Sequence, residues 1–200
     1  MNALKLLKND HRKVAGLFAR FERAESREHE AIAARICAEL TVHATIEEEL
    51  LYPVAREHLT DAKQKLVDHA DIEHATLKGL IHQIGQSDSS SRLYPALVKV
   101  LGEYVKHHVE EEEGQMFPAL GKSEVDLDAL GRELAARKQE LLAEGALPAA
   151  DDDDDESEDE EEAEYEEEDD DSDEEVTGDE AWRNPGDDHA DTRRRKRNPA

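Results

Sequence analysis

Residues 43–53 read His-Ala-Thr-Ile-Glu-Glu-Glu-Leu-Leu-Tyr-Pro, and residues 108–118 read His-Val-Glu-Glu-Glu-Glu-Gly-Gln-Met-Phe-Pro. The two align without gaps: the histidine, the glutamates four and five positions later, and the proline coincide, with Tyr52 against Phe117. A second pair of segments repeats at almost the same distance. His11-Arg-Lys-Val14-Ala-Gly16-Leu17-Phe18 lines up with His74-Ala-Thr-Leu77-Lys-Gly79-Leu80-Ile81 at an offset of 63, against 65 for the first pair. Such a chain reads as two copies of one helical hairpin, each supplying a histidine, then His-x-x-x-Glu, then proline. Imidazole and carboxylate four residues apart lie one turn apart on the same helix face. Each proline is expected to end or kink its helix one to two turns past the glutamate.

Around these segments the apolar residues of the first 150 positions recur at intervals of three and four, and runs of alternating β-branched residues are missing. The expected fold is all-α: an antiparallel up-down four-helix bundle with a short fifth helix. Polar turns place helices near residues 2–26, 28–58, 61–86, 91–120 and 126–145. The expected buried stripes are Leu4, Leu7, His11, Val14, Phe18 and Phe21; Ile32, Ile36, Leu40, His43, Glu47, Leu50 and Val54; Leu66, Ala70, His74, Leu77, Ile81 and Ile84; and Leu97, Leu101, Tyr104, His108 and Glu112. Every long helix thus carries one histidine on its apolar stripe. Tyr104 is expected to pack in the core with its hydroxyl satisfied, and Cys37 to be a small buried residue.

Charge divides the chain. The whole carries a formal net charge of -27, but residues 1–150 hold 26 acidic and 19 basic side chains, residues 151–180 hold 23 acidic and no basic ones, and residues 181–200 hold 3 and 6. The expected organisation is a helical bundle over residues 1–148 and a disordered acidic tail over 149–200, which ends in the basic cluster Arg193, Arg194, Arg195, Lys196 and Arg197. So acidic a chain argues against nucleic acid as a partner of the bundle, while the tail offers a surface for a basic protein. A single cysteine excludes an internal disulfide framework and a zinc finger. No stretch approaches the ~20 apolar residues of a membrane span, so the expected location is the cytoplasm and no membrane partner is expected.

Four imidazoles and two carboxylates converging in an apolar bundle would be costly without a cation, since an unpaired buried carboxylate costs several kcal/mol, on the order of the penalty per buried ion. Carboxylates can bridge two ions and imidazoles complete the nitrogen side, so a dinuclear centre uses His11, His43, Glu47, His74, His108 and Glu112 together. Mixed nitrogen and oxygen donors favour iron first and manganese second. His69/Glu73 and His107/Glu111 share the His-x-x-x-Glu spacing but fall off the stripes, and are read as solvated pairs. No nucleotide loop or nucleophile motif supports a conventional enzyme acting on an organic substrate.

Asp10-His11-Arg-Lys-Val, His43-x-x-x-Glu47-Glu with Tyr-Pro, Glu73-His74, and His108-x-x-x-Glu112-Glu with Phe-Pro together resemble the hemerythrin-like, or HHE cation-binding, family over residues 1–145. The resemblance implies a non-haem di-iron site in which His11, His43, His74 and His108 are terminal ligands and Glu47 and Glu112 bridge. Glu48 and Glu113 then either orient ligands from outside or are surface charges. Oxygen-carrying hemerythrins have His-x-x-x-His on the third helix, whereas here Lys78 follows His74 by four residues. One histidine fewer implies an open coordination position, and hence a centre that binds or reacts with oxygen, nitric oxide or peroxide in sensing, stress response or iron handling rather than oxygen storage. Two other readings compete. His74-Ala-Thr-Leu77-Lys78-Gly79 is similar to a histidine phosphotransfer signature with one residue too many, and the chain could be an interaction module acting through its acidic tail.

Overall fold

Asn2 opens the first helix by accepting the Lys5 N–H on its side chain at 2.9 Å, which satisfies a donor that the first turn leaves unpaired. From there the computed structural model describes residues 2–145, which are helical apart from short turns. Helix α1 spans Ala3–Arg23. The second rod is α2 (His29–Ile46), a π-helical turn π1 (Glu47–Leu51) and α3 (Tyr52–His58) in direct succession. Helix α4 (Asp61–Gln86) is the third rod. The fourth repeats the second, with α5 (Tyr94–Glu111), π2 (Glu112–Met116) and α6 (Phe117–Gly121). Helix α7 (Leu127–Ala143) follows, capped by Asp126, whose side chain accepts the Ala129 N–H.

Helix α1 packs on α2, α2 on α4, α4 on α5 and α5 back on α1, so the four rods close the expected up-down bundle, and α7 lies over α1 and α2. The core falls into two apolar clusters. One gathers Leu7, Ile46, Leu51, Tyr52, Phe117 and Leu120 with the inner face of α7, and the other gathers Val14, Ile36, Leu40, Leu77, Val98 and Leu101. Between them lies a layer of buried polar side chains: Asp10, His11, His43, Glu47, His74, His108 and Glu112. None of the described helices is long and apolar enough to cross a membrane. The acidic tail and its basic end lie outside the described residues.

The prolines do something other than end their helices. At each one the chain widens into a π turn in which the N–H of Tyr52 reaches the carbonyl of Glu47, and that of Phe117 the carbonyl of Glu112, five residues back. Proline has no N–H and its ring crowds the carbonyl four residues earlier. The wide turn relieves that crowding, and Pro53 and Pro118 fall in the first turn of the resumed α-helix, where no donor is needed. One residue is thereby absorbed, and the inward stripe shifts by one. Past Glu47 the buried residues are Leu51, Tyr52 and Ala55, with Leu50 and Val54 only half-buried.

On α5 the stripe also differs from expectation. It runs Tyr94, Val98, Leu101, Val105, His108, whereas Tyr104 is 48% exposed and is not a core residue. Val105 fits the same periodicity one position on and buries apolar surface without having to place a hydroxyl. Cys37 is half-buried, and that burial pushes its thiol up to about 11, so it is neither a fully enclosed core residue nor an ionised one.

Deleting Gly114, an exposed residue of π2 with no atom near its would-be Cβ, should return the turn to α geometry. Pro118 would then sit in a helix interior at a cost of about 3 kcal/mol, while Phe117 keeps its inward facing because the residue removed is the one the turn absorbs. Thermal unfolding followed by circular dichroism should show a clear fall in Tm, partly recovered when Pro118→Ala is added. An unchanged Tm would contradict this role for the turn.

Candidate metal centre

The polar layer is built from matching positions of the two hairpins. His11 Nε2 stands 3.1 Å from His43 Nε2, and His74 Nε2 stands 3.2 Å from His108 Nε2. The four imidazoles thus form two pairs, one per hairpin, each aiming its Nε2 atoms inward. Two nitrogens at that separation can hold only one proton between them. The two glutamates lie between the pairs. Glu47 Oε2 is 3.1 Å from His43 Nε2 and 3.5 Å from His74 Nε2, while Glu112 Oε2 is 3.5 Å from both His11 Nε2 and His108 Nε2. Each carboxylate therefore touches one imidazole of each hairpin.

All six side chains singled out in the sequence meet in this layer. Two donor groups share Glu47: His11, His43, Glu47 and Glu112, and then Glu47, His74 and His108, with the donor atoms of each group within 4.8 Å of one another. Glu47 is 0% exposed, and both its oxygens lack a hydrogen-bond partner, as does Glu112 Oε2. Orphaned carboxylate oxygens facing inward nitrogen lone pairs are the donor set of a cation site with mixed nitrogen and oxygen preference. His74 is only 1% exposed with both ring nitrogens engaged, which leaves no face for a phosphodonor and removes the phosphotransfer reading.

Three of the outer nitrogens are hydrogen-bonded to acids, and the fourth faces one. His11 Nδ1 donates to Glu113 at 2.7 Å, His74 Nδ1 to Glu48 at 3.0 Å, and His108 Nδ1 to Glu73 at 2.9 Å, while Asp10 Oδ2 stands 3.7 Å from His43 Nδ1. Glu48 and Glu113 are thus orienting groups and cross from one hairpin to the other, whereas Asp10 and Glu73 act within their own hairpin. A proton fixed on Nδ1 leaves Nε2 with its lone pair toward the centre. Sequence reading missed Asp10 and Glu73 in this role. The signal was there, since each immediately precedes a stripe histidine, but a neighbour in sequence points about 100° away on a helix, and only the packing shows which imidazole it meets.

Tyr52 was also missed. Its hydroxyl lies 3.1 Å from both Glu112 Oε1 and His74 Nε2, with its proton available to the carboxylate. Burial, reinforced by the charges of Glu47 and Glu112, holds the phenol well above its ordinary pKa, so it stays a donor. Five residues after Glu47 would be off the stripe in an α-helix, and π1 brings it in. His69 and His107 are exposed and outside the layer, as their positions off the stripes implied.

Charge in the layer is shared between imidazole and carboxylate. Burial alone would lower His43, but Glu47 and Asp10 outweigh it and hold the imidazole at about 10. His11 and His108 are likewise raised against their burial, by Glu112 and Glu113 and by Glu73 and Glu112 respectively. His74 goes the other way, because burial dominates there. Glu47, which burial would raise, is held well below the usual carboxylate range by His43 and the neighbouring imidazoles. Without a metal, protons supply the positive charge that the two glutamates require.

Comparison with known proteins agrees with this geometry. A crystal structure of a hemerythrin HHE cation binding domain-containing protein from Mycobacterium kansasii superimposes with a TM-score of 0.63 at 26% identity, covering 72% of this chain and 89% of that one. A DNA nickase of Nostoc sp. is 31% identical over 122 residues, 60% of this chain but 34% of the relative, so the chain spans about a third of that protein's length. The hemerythrin HHE cation binding domain matches residues 2–120. With its bundle, its paired histidines and its two inward glutamates, the chain belongs to the hemerythrin HHE cation binding domain family.

Proposed function

We propose that His11, His43, His74 and His108 hold two iron ions terminally, that Glu47 and Glu112 bridge them, and that the centre binds or reacts with oxygen, nitric oxide or peroxide in sensing, stress response or iron handling. Manganese is the second candidate metal. The observation that carries this reading is the position of each glutamate oxygen against one imidazole of each hairpin. Bound iron supplies a redox-active Lewis acid with room for a small exogenous ligand.

The chain's own residues do the rest. Glu48, Glu113, Glu73 and Asp10 orient the four rings, and Tyr52 holds a proton against Glu112 Oε1. Lys78 stands where a fifth histidine would be, but its ammonium turns outward onto Glu48 at 2.5 and 2.7 Å. A small cavity of ≈ 20 Å³, measured for the centre of a water-sized molecule, adjoins the four imidazoles and is walled by Leu40, Leu77 and Val105. About 10–15 Å³ by that measure admits one water, so the cavity has room for a ligand of two or three atoms. The nicking activity named for the Nostoc relative is not carried over, because two thirds of that protein lies outside the match and residues 1–150 carry net negative charge.

Anaerobic reconstitution should load two equivalents of iron, and optical titration with oxygen, nitric oxide and peroxide should then identify the reactive ligand. Glu47→Gln and Glu112→Gln should each lose at least one equivalent, while His69→Ala and His107→Ala keep both in the buried layer. An oxygen adduct that forms and releases reversibly over many cycles would sink the reactive-centre reading.

Metal uptake should also depend on pH. Imidazoles must be neutral to bind metal; His43, held at about 10, keeps a proton at neutral pH in the metal-free layer, and His11 and His108 are raised in the same direction. Iron binding should release protons into a weakly buffered solution, and apparent affinity should fall as pH is lowered from about 8 to about 6. Affinity independent of pH over that range would show that those protons are not displaced.

A further inference from the structure

The two hairpins match in the buried layer but differ just outside it. In the first hairpin Asp10, the acid that faces His43, is met from outside by the ammonium of Lys138 on α7. Next to it the wall is apolar and covered: Leu6, Val42 and Ile46 are buried. In the second hairpin the counterpart of Asp10 is Glu73, and the counterparts of Leu6, Val42 and Ile46 are His69, His107 and Glu111. No helix equivalent to α7 packs on this side among the described residues. Where one hairpin brings a lysine ammonium onto its orienting acid, the other presents two imidazoles and a second carboxylate to solvent.

His69, Glu73 and Glu111 converge, and His107 flanks them on the side of the two carboxylates. His69 Nδ1 lies 2.6 Å from Glu111 Oε2, while His107 Nε2 lies 3.5 Å from Glu111 Oε1 and 3.7 Å from Glu73 Oε1. Donor atoms of His69, Glu73 and Glu111 all lie within 4.8 Å of one another. A tetrahedral zinc with nitrogen and oxygen ligands at about 2.0–2.2 Å sets its donors ~3.4 Å apart, which these side chains reach by small movements at an exposed surface. Two neutral imidazoles and two carboxylates carry a charge of about −2, matched by a divalent cation. Glu73 uses Oε2 to hold His108 Nδ1 and turns Oε1 outward, so one carboxylate would serve both places.

We infer that His69, Glu73, His107 and Glu111 form a second, solvent-exposed site for a divalent transition-metal ion, separate from the buried layer and joined to it through Glu73. The cation takes the place that Lys138 occupies against Asp10 in the first hairpin. This site does not depend on which metal the buried layer holds.

Zinc is the probe, because it is redox-inert and accepts nitrogen and oxygen donors. Full-length, iron-loaded protein is titrated with zinc at about 0.15 M salt, the range in which loose surface binding is screened, and iron and zinc are counted in the same sample. The wild type should bind one zinc more than His69→Ala/His107→Ala with its iron unchanged. Glu111→Gln should weaken that zinc by at least about tenfold, while His82→Ala, an exposed histidine elsewhere on α4, should leave it alone. Zinc held by the acidic tail is common to all these proteins and cancels in the difference. Equal zinc uptake by the wild type and the double variant overturns the inference, as does zinc uptake matched one for one by loss of iron. Failure of the buried layer to load iron would instead appear in the iron count, leaving the zinc difference between variants readable.

Discussion

Two carboxylates with almost no access to water, Glu47 and Glu112, govern this structure. An ionised carboxylate in an apolar bundle must meet positive charge, or folding bears a penalty of several kcal/mol, on the order of that for any isolated buried ion. Four imidazoles meet that demand here; three are in turn hydrogen-bonded by an acid at the rim, and the fourth, His43, faces Asp10. The layer is therefore a set of nested shells, carboxylate inside, imidazole around it and carboxylate outside. It separates two apolar clusters that would otherwise form one continuous core. A bound cation can satisfy the three orphaned oxygens of Glu47 and Glu112 that hydrogen bonds do not reach.

The π turns set the geometry. Each begins at one of the two buried glutamates and ends just before an aromatic residue and proline, so the widened turn and the functional carboxylate occupy the same place in both hairpins. A plain α-helix could present His43 and Glu47 on one face, but would send Tyr52 elsewhere. The inserted residue turns Tyr52 onto His74 and Glu112, and Phe117 onto His11, whose ring it stacks at 5.8 Å. Strict two-fold symmetry then breaks, because only one of the two aromatic residues has a hydroxyl. The two halves of the layer consequently differ in hydrogen bonding although their donors are the same.

A second asymmetry lies outside. Helix α7 covers the first hairpin, where Arg137 reaches Glu49 and Lys138 reaches Asp10, so the orienting acid on that side is enclosed by a rigid element. The second hairpin keeps its orienting acid near solvent among imidazoles. The two hairpins thus differ at the rim while they match in the buried layer, where the inner residues answer to one shared charge balance and the outer ones only to their local covering.

Much of this was legible in the chain. The three- and four-residue apolar spacing points to the bundle, and the alignments of residues 43–53 with 108–118 and of 11–18 with 74–81 pick out six polar side chains, because residues one turn apart on a stripe must face the same interior. Periodicity failed where the helix itself changed period. A constant 3.6-residue count places Leu50 and Val54 inward where the structure has Leu51 and Ala55, whereas Tyr104, in the regular helix α5, yields to Val105, which fits the same period one position on. Tyr52, Asp10 and Glu73 could not be assigned from spacing, since their partners sit on other rods. The pattern along the chain is enough to say which faces are buried and that four histidines and two glutamates lie on them. Which imidazole meets which acid emerges only on packing, because those distances depend on the register of one rod against another, which a linear pattern does not contain.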